Sequence, residues 1–576
     1  MNDKSDVIKD KDDYCIVLCG AAGQGIQTIE HILTRVLKLS GYHVFATKEY
    51  MSRIRGGSNS TEIRVSSRRV SAFVNRIDIL IPLDKKAIPH LGKKINTETI
   101  ILGEKEKLQT DREIIDIPFS QIAAEIGGQI YANVLAIGVI AGIFECEMDI
   151  LEGYLASYFA KKGEDIIEKN REAVKKGFEI GTELMKSGKI HVRIRKDKKV
   201  QEEILLNGAE AVALGSIAGG CNFISAYPMS PSTGVLVFLS QNAGKFGIIA
   251  EQAEDEISAI NMAVGAWYAG ARALASTSGG GFALMEEGIS LAGMTETPVV
   301  VHLAQRPGPA TGLPTRTEQG DLELALYSGH GEFPRAIFSP GTIEDAFDLT
   351  RRAFNLADKY QVPVFVITDQ YLIDSYYNIP PPDISGLRVE KHVVESTKGY
   401  RRYEITADGI SPRGIPGFGS GLVAVDSDEH DEAGHITEDL DLRVRMVDKR
   451  LKKMESLKRD AIPPELVGDE DYKTLIICWG TTFPIVQEAV NKLGREDMSI
   501  LYFRQVYPVP DKALTYLERA GQRVIIENNA TSQLGRLLKL ATGMDMDHKI
   551  LKYNGMPFSV EEIAEKLKGM GVSKNG

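Results

Sequence analysis

Cysteine is scarce in this chain. Only Cys15, Cys19, Cys146, Cys221 and Cys478 occur in 576 residues, too few and too scattered for a disulfide scaffold. An iron–sulfur cluster held by this chain alone would need about four suitably spaced cysteines. The one close pair, Cys15 and Cys19, lies in CIVLC, where residues four apart on a strand share a face. No second Cys or His pair completes a ligand set, so these two read as core and no metal site is expected. Long apolar runs are missing as well: none approaches the roughly 18 residues of a membrane span. The opening MNDKSDVIKDKDDY lacks the apolar core of a secretory signal, and a cytoplasmic protein without a membrane partner is expected. Positive charge is the minority sign, 68 Lys and Arg against 79 Asp and Glu for a net charge of −11. That balance weighs against a nucleic-acid partner.

What is present is length and alternation. A chain of 576 residues exceeds what one core organises, and several α/β domains are expected. The strand CIVLC, the turn GAAGQGIQT and the helical pattern IEHILTRVLKL open a βα unit, and alternation continues to a helix near 164–187. This first domain is placed at 11–190, followed by the charged linker RIRKDKKVQ. From 205 to 385 the apolar runs FISAY, FGIIAE, RALAST, PVVVHLA and PVFVITD alternate with helices, the signature of a parallel sheet covered on both faces. The pattern dissolves into Pro, Gly and charge over 386–464, a connector ending in a charged helix. It resumes over 465–576 with TLIICW, FPIVQEAVNKL, SILYF and RVIIEN.

Two glycine-bearing loops lie in the first domain. GAAGQGIQT carries Gly23 and Gly25 between strand and helix, where backbone approaches a ligand closely and the helix start attracts an anion. It departs from the dinucleotide fingerprint G-x-G-x-x-G, and a tight corner explains the same glycines. RIRGGSNS adds Arg55, Gly56 and Gly57, suited to phosphates or to a surface turn.

Three stretches of the central domain concentrate polar groups at strand ends, where parallel sheets bind ligands. In AYPMSPST, Pro228 and Pro231 restrict the backbone around Met229 and Ser230, presenting hydroxyls beside Tyr227. Ser232 or Thr233 would also cap the next helix. In EQAEDEISAINMAVGA the acids favour a helix start, and Glu256 directly precedes a small-residue surface. There a carboxylate is either solvated or buried and tuned for proton transfer. In HLAQRPGPATGLPTRTEQGDL a Pro/Gly-rich loop carries Arg306, Thr311 and Arg316, and arginine grips carboxylates as a fork.

Taken in order, AYPMSPST, EQAEDEISAINMAVGA, TSGGGFALMEEG and GPATGLPTRTEQGDL resemble the alpha subunit of 2-oxoacid:ferredoxin oxidoreductases. GAAGQGIQT and RIRGGSNS resemble the gamma domain of that family, and EHDEAGHITED and IIENNATSQLGRLL its connector and transketolase-C-terminal-like domain. The resemblance covers nearly the whole chain. It implies an α/β, multi-domain protein: a Rossmann-like gamma domain (11–190), a pyrimidine-type thiamine diphosphate domain (205–385), a connector, and the C-terminal domain. It further implies an enzyme that cleaves a 2-oxoacid with thiamine diphosphate and coenzyme A, passing two electrons to ferredoxin. The fused order of domains is that of two-subunit enzymes, often acting on 2-oxoglutarate to give succinyl-CoA and CO2. Branched-chain acids, pyruvate and aryl pyruvates are the alternative substrates, and a non-catalytic coenzyme A- or nucleotide-binding protein is the alternative class.

By the same resemblance Glu256 holds the aminopyrimidine of the cofactor. Arg306, or Arg316 in its place, holds the substrate carboxylate; Tyr227, Ser230 and Thr311 line the substrate, and Gly23, Gly25, Arg55, Gly56 and Gly57 contact coenzyme A. Met229 and Ser230 depart from the family's Tyr-Pro-Ile-Thr-Pro pattern, keeping a hydroxyl but altering pocket shape. No Gly-Asp-Gly motif for Mg2+ and diphosphate is found. That motif and the [4Fe-4S] cluster are therefore expected on a beta subunit, in an (alpha-beta)2 heterotetramer.

Overall fold

The computed structural model describes residues 11–21, 26–51 and 58–570, which fall into two compact units. The first runs to Leu206 and takes in Ser375–Pro381; the second comprises Asn207–Asp374 and the chain from Pro382 onward.

An eight-stranded sheet organises the first unit, in the order Ile115–Asp116, Ile100–Gly103, Ile79–Pro82, Asp13–Ala21, Ser58–Ser66, His43–Glu49, Tyr376–Ile379 and Ile204–Asn207. The half from Asp13–Ala21 through Ile79–Pro82 to Ile115–Asp116 is parallel, whereas Ser58–Ser66 and His43–Glu49 pair antiparallel. The mixture has a simple cause. The connection between those two strands is too short for the crossover a parallel pair requires, so the chain turns back on itself. Cys15 and Cys19 lie fully buried on the central strand. Burial pushes both thiols up, Cys19 to about 12.

Helix Ala132–Ile143 is apolar all round and buried from Val134 onward. Its partner is Glu164–Lys186, and glycines let the backbones touch. A Cβ at Gly138 would lie 2.3 Å from the carbonyl oxygen of Val174, and one at Gly181 would lie 2.2 Å from that of Val139. Among the described residues no single helix is long and apolar enough to cross a membrane; the bent pair Phe119–Ile126 and Gln129–Ile143 passes on length and composition.

The second unit carries two sheets. The larger has the order Gln505–Tyr507, Ala336–Phe338, Pro363–Asp369, Val299–Gln305, Ala273–Thr277, Phe223–Ala226 and Ile249–Gln252, parallel except for its first member. Val299–Gln305 and Pro363–Asp369 are buried at every position, as continuous apolar runs demand when helices cover both faces. From Phe223–Ala226 the chain first goes outward to Ile249–Gln252, then returns to Ala273–Thr277 on the other side. Reversal of strand order leaves a crevice at the carboxyl ends of Phe223–Ala226 and Ala273–Thr277, the usual ligand position in such sheets. The smaller sheet has the order Glu465–Val467, Met498–Phe503, Thr474–Trp479, Gln522–Glu527 and His548–Leu551, parallel but for Glu465–Val467.

The connector is irregular from Pro382 to the helix Leu440–Arg459, yet firmly held. Lys449 and Lys453 both reach the buried Glu296 carboxylate, at 2.6 and 2.5 Å. Arg402 donates to the carbonyl oxygen of Glu296 at 2.7 Å. Burial alone would raise Glu296, but the two ammonium groups and Arg402 pull its carboxyl well below the usual range.

Candidate active site

The carboxyl ends of four neighbouring strands deliver the polar side chains. Ala226 leads into Tyr227–Pro231, Gln252 into Asp255–Glu256, Thr277 into Ser278–Gly281, and Gln305 into Arg306. Asp255 caps the helix Glu256–Tyr268 by accepting from the Ser258 N–H at 2.7 Å, so the dipole explanation of these acids holds for Asp255. Glu256, one residue inside, turns the other way. It is only 3% exposed, and its Oε1 has no hydrogen-bond partner in the protein. A Cβ on Gly281 would stand 2.4 Å from that oxygen and 2.2 Å from Thr277 Oγ1, so only glycine lets the helix Gly279–Leu284 pass. Burial raises the Glu256 carboxyl and nearby Asp255 adds to the rise, while Thr277 and Arg306 oppose it.

Arg306 donates from Nη1 to the carbonyl oxygen of Ser230 at 2.6 Å. The bend Ser230–Pro231, a cis peptide, thus meets the arginine through its backbone. Ser232 and Thr233 supply no side-chain cap; Ser232 Oγ instead donates back to the carbonyl oxygen of Met229 at 2.7 Å. That occurs because Ser232 is already helical, at φ −68° and ψ −20°, whereas a capping hydroxyl needs an extended residue. Tyr227 and Thr311 are exposed at the rim.

Arg306 and Arg316 part company. Arg306 carries charge to Glu256 and to Asp321, whereas Arg316 lies against the Gly555–Met556 turn, its Nη1 3.8 Å from Met556 Sδ. The loop between them is clamped by the smaller sheet. Gln319 donates to the Trp479 carbonyl oxygen at 2.8 Å and accepts from the Asn528 N–H at 2.8 Å. Gln533 holds the carbonyl oxygen of Gly320 at 2.8 Å. The clamp itself rests on Glu527, fully buried and accepting from Trp479 Nε1, Asn529 Nδ2, Ser532 Oγ and the N–H groups of Leu534 and Gly535 at 2.8–3.1 Å. This gives IIENNATSQLG an architectural role that its letters do not announce.

Sequence reasoning passed over Asp321 and Ser278. Both orient buried polar atoms, Oδ2 and Oγ, that have no protein partner. The triple glycine at 279–281, one residue past the strand Ala273–Thr277, was the available signal, since adjacent glycines there mark close approach.

In the first unit, Gly23, Gly25, Arg55, Gly56 and Gly57 lie outside the described residues. Beside the first turn of helix Ile26–Leu39 opens a cavity of about 680 Å3, lined by Thr28, Pro82, Leu83, Lys107, Asn133 and Lys162 among others. It adjoins the carboxyl end of the parallel strand Ile79–Pro82.

Comparison with known proteins decides the family. The model of the pyruvate flavodoxin/ferredoxin oxidoreductase thiamine diphosphate-binding domain matches residues 214–449, and that of pyruvate ferredoxin/flavodoxin oxidoreductase matches 15–180. A 2-oxoacid:ferredoxin oxidoreductase subunit alpha from Sulfolobus sp is 32% identical, over 96% of both chains. The chain belongs to the 2-oxoacid:ferredoxin oxidoreductases. Within that family it is an alpha subunit with a thiamine diphosphate-binding domain. The 2-oxoglutarate synthase subunit KorA of Methanothermobacter thermautotrophicus is 32% identical, covering 64% of this chain and 99% of the relative. The 2-oxoglutarate:ferredoxin oxidoreductase of Magnetococcus marinus, solved with 2-oxoglutarate, coenzyme A and succinyl-CoA bound, is similar at 31% identity and TM-score 0.91. That match covers 97% of this chain and 99% of the other.

Proposed function

We propose that this alpha subunit, together with a beta subunit, oxidatively decarboxylates 2-oxoglutarate to succinyl-CoA, CO2 and reduced ferredoxin. The observation that carries the reading is the buried Glu256 carboxylate, with Oε1 unpartnered, beside Arg306 at the strand-order reversal. A carboxyl kept easy to protonate, with one buried oxygen lacking a protein partner, fits a cofactor ring nitrogen. Glu256 would hold the proton shared with that nitrogen. Arg306, anchored by the Ser230 carbonyl, would present its remaining N–H groups to the substrate carboxylate. Bound thiamine diphosphate supplies a nucleophilic carbon for the keto group and accepts the electrons left when CO2 departs.

The sequence has no Gly-Asp-Gly motif and no cluster of cysteines. We therefore assign Mg2+, the diphosphate and the [4Fe-4S] cluster to the beta subunit, with the active site shared between chains in an (alpha-beta)2 assembly. The cavity beside Thr28, with Lys107 and Lys162 on its wall, supports coenzyme A contact by the gamma domain, and we assign Gly23, Gly25, Arg55, Gly56 and Gly57 to the same contact. Tyr227, Ser230 and Thr311 form the rim at which substrate enters. The Sulfolobus relative is named for 2-oxoacids in general, which favours a second reading in which pyruvate or branched-chain acids are also taken. Met229 and Ser230 are then the positions that set preference. Mixing the purified subunits tests both readings: reduction of ferredoxin that needs coenzyme A and is fastest with 2-oxoglutarate supports the first. Equal rates with pyruvate support the second, and no reduction with any 2-oxoacid would refute both.

A further inference from the structure

Buried polar atoms without a protein partner are uncommon, because each forfeits its interaction with water. Here four gather around one turn: Glu256 Oε1, Ser278 Oγ, Arg306 Nε and Asp321 Oδ2. Glu256 and Arg306 already have roles in the reading above. Asp321 does not, and its surroundings are specific.

Its carboxylate lies flat against the first turn of helix Gly279–Leu284. A Cβ on Gly279 would be 2.5 Å from Oδ2 and 2.7 Å from Oδ1. Its own N–H donates to Gln305 Oε1 at 3.0 Å, and Gln305 Nε2 is fixed on the Thr368 carbonyl oxygen at 3.1 Å. The same helix turn therefore receives two carboxylates, Asp321 at Gly279 and Glu256 at Gly281, and Arg306 acts on both.

The charges facing Asp321 are few. Arg306 is the nearby cation and Glu318 a nearby anion; Glu256 lies on the neighbouring helix. Glu323, on the helix that follows, is paired with Arg536 at 3.2 Å. Helix Gly279–Leu284 brings no charge, and strand Val299–Gln305 brings only His302, which burial lowers to about 3 and which bonds Ser276 and Thr368 at 2.9 Å. One arginine thus serves two buried carboxylates before any anionic substrate arrives. A 2-oxoacid adds another negative charge, and low-dielectric repulsion is relieved most simply by a proton on one of these carboxylates.

We propose that Asp321 is the proton-accepting member of the 2-oxoacid site, binding one proton from solvent as the substrate carboxylate settles on Arg306. The protonated oxygen then donates to the ligand where a second carboxylate would repel it. Burial, with Glu318 adding and Arg306 opposing, pushes the Asp321 carboxyl up to about 7, within reach of such a switch. The inference rests on Arg306 being the carboxylate anchor.

The test uses the reconstituted alpha–beta complex at saturating coenzyme A. KM and kcat are measured from about pH 6 to about pH 9 with whichever of 2-oxoglutarate, pyruvate and 2-oxoisovalerate turns over fastest. In the wild type KM should climb above about pH 7, approaching tenfold per pH unit, as the free site loses its proton. Asp321→Asn, neutral at every pH, should flatten that climb while keeping KM near its low-pH value. Asp321→Ala should flatten it too, with a higher KM throughout because the donor is gone. A flat wild-type profile, or the wild-type slope retained in Asp321→Asn, overturns the proposal, and the first of these needs no variant to fold. An unchanged KM in Arg306→Ala would instead strike at the anchor on which the inference rests.

Discussion

Arg306 and Ser230 meet through a 2.6 Å hydrogen bond from guanidinium Nη1 to a backbone carbonyl oxygen. The bond joins the bend after Phe223–Ala226 to the first residue after Val299–Gln305. It fixes the arginine through a backbone oxygen, so the rest of the fork stays available to an anion.

Arg306→Lys keeps the charge but loses the fork, because a lysine cannot hold a backbone carbonyl and a carboxylate in one plane. KM for the 2-oxoacid should rise by about tenfold or more, whereas Arg316→Ala, acting at the Met556 turn, should stay within about twofold. Steady-state kinetics of the two variants side by side check this.

Burial of the Glu256 carboxylate carries a cost in stability at neutral pH. Its carboxyl is raised above the ordinary 4.5 by burial. Its stabilising contribution is therefore complete below pH 4.5 and is lost as pH rises through the raised value. Glu256→Gln should accordingly raise Tm near pH 8, with the gain vanishing towards pH 4. Thermal unfolding at the two pH values measures it, and a lower Tm at pH 8 would contradict it.

Glu296 behaves in the opposite sense. Its carboxyl is held below 4.5 by Lys449, Lys453 and Arg402 against the effect of burial. It stabilises above pH 4.5 and that contribution fades as pH falls through the depressed value. Glu296→Gln leaves two buried ammonium groups without their counter-charge and should cost about 3–5 kcal/mol at neutral pH, seen as an early denaturant midpoint.

Removing the loop clamp should reach the site at a distance. Gln319→Ala severs the bonds to Trp479 and Asn528 and should raise KM for the 2-oxoacid several-fold with kcat nearly unchanged. Glu527→Ala strands five donors in the core and should lower stability by about 3 kcal/mol or more. Kinetics of the first variant and chemical unfolding of the second provide the checks.

The parallel sheets were legible because fully buried strands write themselves as apolar runs, as PVVVHLA and PVFVITD did. Partnerships between distant segments were not. Nothing in YYNI says that Tyr376–Ile379 leaves the second unit to pair with His43–Glu49. The pattern around Glu256 fitted a solvated acid as well as a buried one, since its burial comes from Thr277 and Gly281 across the crevice. Arg306 and Arg316 looked alike within one loop; the Ser230 carbonyl and the Gly555–Met556 turn distinguish them. Asp321 lay in EQGDL as one polar letter among several, its burial set by Gln305, Gly279 and the clamp on Gly320.

The central claim is that this chain contributes Glu256 to a thiamine diphosphate site completed by another subunit. The most direct test is coenzyme A-dependent ferredoxin reduction with 2-oxoglutarate by the reconstituted complex carrying Glu256→Gln. The account predicts that kcat falls by about 100-fold or more while the subunits still co-purify; turnover within about twofold of the wild type would contradict it.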